Sequence, residues 1–130
     1  MTRWIVALGA VAIAAWLGVQ AIGARADTEA TRIVLAEKTP TAAELRRADG
    51  LAARMARLNP DTRPQQLRGL VAYREGDMRR AGAIFEAMAR EEPENLQAWA
   101  LLARVAERYD PSLAATARRR VRALAPPVKR

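Results

Sequence analysis

The side chains that do most enzymatic chemistry are missing from this chain. Its 130 residues contain neither histidine nor cysteine, so a Ser-His-Asp triad, a Cys-His dyad and the usual zinc sites are all impossible. No phosphate-cradling glycine loop occurs either. The one dense group of carboxylates is Glu91-Glu92-Pro93-Glu94. Pro93 interrupts the helix that a paired acid and base on one face would need, and the plain role of these acids is N-terminal charge for the helix that follows. The expectation is a protein without an active site, metal or cofactor.

Basic chemistry is abundant instead. Net charge is +8 with a pI near 11.3, and 20 of the 22 basic residues are arginine, a bias much of which GC-rich coding would produce without a functional cause. The densest cluster is Arg118, Arg119, Arg120 and Arg122, followed by Lys129 and Arg130. Successive helical residues fan out by about 100°, so the cluster covers much of the exposed circumference of a final helix, where cations also suit the helix C-terminus. A solvated face closing the domain is the plain reading; contact with an acidic polymer or anionic lipid headgroups is the functional one, and a protein partner a third. Few aromatic residues accompany the arginines, which argues against stacking on nucleic-acid bases.

The elements that must carry these residues are helices. Beta-branched and aromatic residues are sparse and no alternating run suggests a strand. The clearest unit is Leu67 to Asn95. Gly69 stands where two helices must approach closely, Gly76-Asp77 supplies a turn and a helix cap, and Ala81, Phe85 and Met88 form one apolar stripe before Pro93. Ala48, Ala52, Met55 and Pro60 repeat the offsets of Ala81, Phe85, Met88 and Pro93 at a distance of 33 residues. Ala117, Val121 and Leu124 restate the stripe, after an Asp110-Pro111 turn and in a register about two residues short. A capping box at Thr41-Ala42-Ala43-Glu44 and boundaries at Asn59-Pro60-Asp61 and Asp110-Pro111 place helices at about 41–58, 63–75, 78–91, 94–108 and 111–124, stacked as antiparallel neighbours by short connections.

Gly69, Tyr73, Gly76, Asp77, Ala81, Phe85, Pro93 and Asn95, in that order, resemble the landmarks of the tetratricopeptide repeat, and Trp99 stands in its large-aromatic slot. The resemblance implies an all-α helical-hairpin solenoid of about two and a half repeats, in which the first helix of each hairpin lines a concave face that receives a peptide or a partner's helix. On that face would lie Gln66, Leu70 and Tyr73 in one unit. Gln97, Leu101, Arg104 and Arg108 follow in the next, at offsets of 0, 4, 7 and 11, with Trp99, Leu102, Ala106 and Tyr109 on the packed side. The carboxylate-clamping version of the fold uses lysine and asparagine along the groove, and neither is expected here, although Arg104 and Arg108 suit an acidic segment.

Trp4 to Ala24 is a run of 21 residues without a charge, bracketed by Arg3 and Arg25. About 20 such residues cross a bilayer, and the run exceeds the core of about 7 to 15 residues typical of a cleaved signal. Ala24-Arg25-Ala26 nevertheless fits a small-x-small cleavage site before Asp27, so secretion after cleavage stands beside a retained single-pass anchor. Flanking charges do not decide the orientation; similarity to bacterial signal-anchors puts the domain outside the cytoplasm. The chain thus divides into a signal-anchor at 1–26, a juxtamembrane linker or degenerate helix at 27–40, a repeat-like domain at 41–125 and a basic tail at 126–130. The expected function is a scaffold in the bacterial cytoplasmic membrane that holds a protein or peptide partner near the membrane surface; the alternative is a basic domain for acidic polymers or headgroups.

Overall fold

The computed structural model describes residues 24–58 and 63–125, and among them every regular element is an α-helix. Helix α1 covers 24–35; α2 (Ala42–Leu58), α3 (Arg63–Arg74), α4 (Met78–Glu91), α5 (Leu96–Ala106) and α6 (Pro111–Leu124) follow. The apolar run up to residue 23, the boundary at Asn59-Pro60-Asp61 and the basic tail at 126–130 lie outside the described residues. Among the described residues no helix is long and apolar enough to cross a membrane.

Local chemistry sets most of the helix limits. Asp77, Asn95 and Asp110 each accept a backbone N–H from three residues on, at 3.0 Å, and so cap α4, α5 and α6. Thr41 and Glu44 form the reciprocal box that opens α2: the Thr41 N–H donates to Glu44 Oε2 at 2.7 Å, and the Glu44 N–H donates to Thr41 Oγ1 at 3.3 Å. Between α3 and α4 the chain turns through Gly76 at φ +83°. There Gly76 N–H meets the Tyr73 carbonyl at 3.1 Å and Asp77 N–H meets that of Ala72 at 3.0 Å, the paired bonds that close a helix through a left-handed residue.

Consecutive helices then pack side by side, α2 on α3, α3 on α4, α4 on α5 and α5 on α6. Two apolar clusters result. In one, Ala30, Ile33 and Val34 of α1 meet Leu45, Ala48, Ala52 and Met55 of α2 and Leu67 and Val71 of α3. In the other, Phe85 and Met88 of α4 pack with Ala72, Leu102, Val105 and Ala117. Helix α3 serves both, and Leu70 touches each cluster. Phe85 is fully buried, and its ring lies so near α3 that a Cβ on Gly69 would stand 2.7 Å from Phe85 Cζ. Glycine there permits the close crossing its position suggested.

Residues 24–35 are where the structure adds most. The sequence left 27–40 as a juxtamembrane linker or degenerate helix. Residues 24–35 form a helix with one side buried against α2 and α3, and it crosses the 26/27 boundary drawn at the small-x-small site. It also completes a first helical hairpin with α2, ahead of α3–α4 and α5–α6.

Candidate partner-binding groove

Helices α3 and α5 both lean on α4, and the space between them and α1 stays open. Two adjoining hollows fill it. The narrower, about 310 Å³, has Val34, Phe85 and Val105 in its floor and Leu35, Leu70, Tyr73, Arg74, Leu101 and Arg104 around it. The wider, about 640 Å³, is bounded by Asp27, Thr31 and Leu35 of α1, Arg63, Gln66, Leu67 and Leu70 of α3, and Asn95, Gln97, Leu101 and Arg104 at α5. Leu35, Leu70, Leu101 and Arg104 border both, so the two form one furrow across three helices. Leu35 is 64 % exposed, a large apolar side chain left open at the rim.

Polar groups in the furrow differ in how far they are committed. Arg74 Nε donates to the Val34 carbonyl and its Nη2 to the Ala36 carbonyl, both at 2.8 Å. This arginine from α3 thereby satisfies carbonyls left over at the end of α1 and pins that helix in place. Arg104 lies 5.8 Å from the centre of the Tyr73 ring, a cation–π contact that holds the guanidinium across the furrow. At the other end Asp27 Oδ2 is 3.5 Å from Arg63 Nη1. Its Oδ1 is buried and, among the described residues, meets no donor.

The structure brings together Gln66, Leu70, Tyr73, Gln97, Leu101 and Arg104, as the stripes suggested. Arg108 is a correction. Helix α5 stops at Ala106, and Arg108 lies in the following turn, its N–H bonded to the Val105 carbonyl at 3.2 Å; the helical offset that put it on the stripe does not extend that far. Asn95 is another, since an asparagine does line the wider hollow. Its side chain is spent on structure, Oδ1 accepting from Ala98 N–H and Nδ2 donating to Glu92 at 2.7 Å. Sequence reasoning missed Asp27, Thr31 and Leu35. Their spacing of four and four is a helical stripe, legible only once 24–35 is taken as a helix.

The arginine cluster does not converge on a site. Arg118 is paired with Glu107, Arg119 Nη2 donates to Thr116 Oγ1 at 2.9 Å, and Arg120 lies 5.6 Å from the centre of the Trp99 ring. Three neighbours in sequence thus face three different partners. Arg122 lies exposed in the last turn of α6, where its charge suits the helix end.

No protein-family model, curated protein or solved structure matches the chain.

Proposed function

We propose that this protein is a membrane-anchored, tetratricopeptide-type scaffold that holds a segment of a partner protein in the furrow between α1, α3 and α5. One observation carries the reading: Leu35, open to solvent, stands with the half-buried Leu70, Tyr73 and Leu101 in a continuous concavity built by three helices. Covering such a surface is favourable by about 25 cal/mol for each Å² of apolar area removed from water, and grooves between helices are common binding sites. The order of turn and core landmarks from Gly69 to Asn95 supports the repeat assignment. The uncharged run from Trp4 to Ala24 supports the anchor, with the domain on the extracytoplasmic side by analogy with bacterial signal-anchors. Internal partners for Arg118, Arg119 and Arg120 weigh against a polyanion-binding face.

A photo-crosslinking residue at position 70, compared with one at the exposed position 83 on α4, tests the site in intact membranes. The expected outcome is a discrete adduct from position 70 only, abolished by Leu101→Asp. Equal labelling from both positions would remove the support for the furrow. Carbonate extraction with intact-mass measurement tests the anchor, and a soluble species beginning at Asp27 would overturn it.

A further inference from the structure

We infer that the furrow is polar along its length and takes a peptide segment of matching polarity: two apolar side chains between a carboxylate at the Arg104 end and a hydrogen-bond donor, amide or ammonium, at the Asp27 end. The inference rests on the partner-site reading and specifies the partner's chemistry. Asp27, Gln66 and Gln97 border only the wider hollow, while Tyr73 and Arg74 border only the narrower. Leu35, Leu70, Leu101 and Arg104 border both, and the Arg104 guanidinium, 5.8 Å from the centre of the Tyr73 ring, lies on the narrower side.

Each end has one group that its own fold leaves underused. Arg74 is committed to two carbonyls of the α1 end, but Arg104 presents one face to Tyr73, and among the described residues no carboxylate pairs with it. A guanidinium held by its face keeps its N–H edge for a planar carboxylate. At the opposite end the Asp27 carboxylate borders the wider hollow and is held only loosely, its Oδ2 3.5 Å from Arg63 Nη1, so that a ligand N–H would add a closer donor. Helix α1 sets the length of the furrow from Asp27 to Leu35, which borders both hollows together with Arg104. Asp27 and Leu35 are eight residues apart on one helix, about 12 Å at 1.5 Å per residue. An extended occupant covers that in about four residues, a helical one in about eight.

Dye-labelled synthetic peptides added to the full chain in detergent micelles test this by fluorescence anisotropy. Two probes carry a leucine pair between lysine and aspartate, one with the charges four residues apart and one helical with eight. Each is compared with a neutral version (Gln and Asn), a leucine-free version (Ser) and a version with lysine at both ends. The expected result is that one charged probe binds at least about tenfold more tightly than its neutral version. Arg104→Glu should lose that advantage and turn the preference toward the probe with lysine at both ends, while Asp27→Asn should lose the discrimination between lysine and glutamine. Thermal melting of both variants checks their folding, and the switch in preference is a signal that simple destabilisation does not produce. Neutral probes binding as well as charged ones would overturn the polarity and leave the partner site standing. If no leucine probe binds, both fall. A dimer of the chain that Leu35→Asp dissociates would make a second copy the occupant and overturn the proposal.

Discussion

Replacing Gly69 by alanine should destabilise the domain in the presence of Phe85 and stabilise it in its absence. In the native background an added Cβ would stand 2.7 Å from Phe85 Cζ and closer still to Cε1, well inside van der Waals contact. The ring is fully buried and has little room to yield. Overpacking of this kind costs about 1 to 3 kcal/mol. Against it stands the gain in helix propensity from glycine to alanine in mid-helix, about 1 kcal/mol. The net expectation for Gly69→Ala alone is a loss of up to about 2 kcal/mol. Phe85→Ala should lose about 3 to 5 kcal/mol through transfer and cavity terms, a large share of the roughly 5 to 15 kcal/mol that holds a domain together. Adding Gly69→Ala to Phe85→Ala removes the clash but keeps the propensity gain, so the double variant should be about 1 kcal/mol more stable than Phe85→Ala. The coupling across the cycle is then about 1 to 3 kcal/mol. Urea titration of the full chain in micelles, followed by far-UV circular dichroism and fitted with a common slope, measures it. Additivity within about 0.5 kcal/mol would show that the helix crossing at Gly69 is not set by the Phe85 ring.

Gly76→Ala should cost about 1 to 2 kcal/mol, because φ +83° is unfavourable for an L side chain, and a fall in melting temperature checks it. The Glu44 carboxyl is held below its usual value mainly by the Thr41 N–H and then by the Thr41 hydroxyl. A folded-state pKa below the unfolded one means that its contribution is complete above the unfolded value and is lost as pH falls through the folded value. Melting temperatures across the acid range should therefore fall less steeply for Glu44→Ala than for the native chain. Arg74→Met removes both donors to the α1 carbonyls and should cost about 1 to 3 kcal/mol; hydrogen exchange should speed up in α1 and not in α6, and uniform acceleration throughout would deny Arg74 its local role.

Turns and caps were legible in the sequence because their signals act within one turn of chain. Gly76-Asp77, Asp110-Pro111 and the Thr41–Glu44 box placed helix limits to within a residue or two, whereas Asn95, inside the helix drawn from 94, turned out to cap α5. The buried stripe of Ala81, Phe85 and Met88 was legible for a related reason, since its apolar residues recur at helical spacing. What lay beyond was long-range. Helix α1 has no aromatic or glycine landmark, and its end is capped by Arg74, 40 residues from Val34. Arg118, Arg119 and Arg120 read as one cluster in the chain, yet Glu107, Thr116 and Trp99 draw them apart.

By itself the sequence determined the helical class, the limits of α2, α3, α4 and α6 to within a residue, and the apolar faces, all of which depend on residues a few positions apart. The uncharged run at the N-terminus is likewise a property of sequence alone. Tertiary structure decided that 24–35 joins the core, that Leu35 is left open, that Arg108 lies past the end of α5 and that Asp27 borders only the wider hollow while Arg104 borders both. The physical reason is that the furrow is a gap between α1, α3 and α5. Its width and lining depend on how α4 seats α3 against α5 and how Arg74 holds α1, contacts between residues remote in the chain.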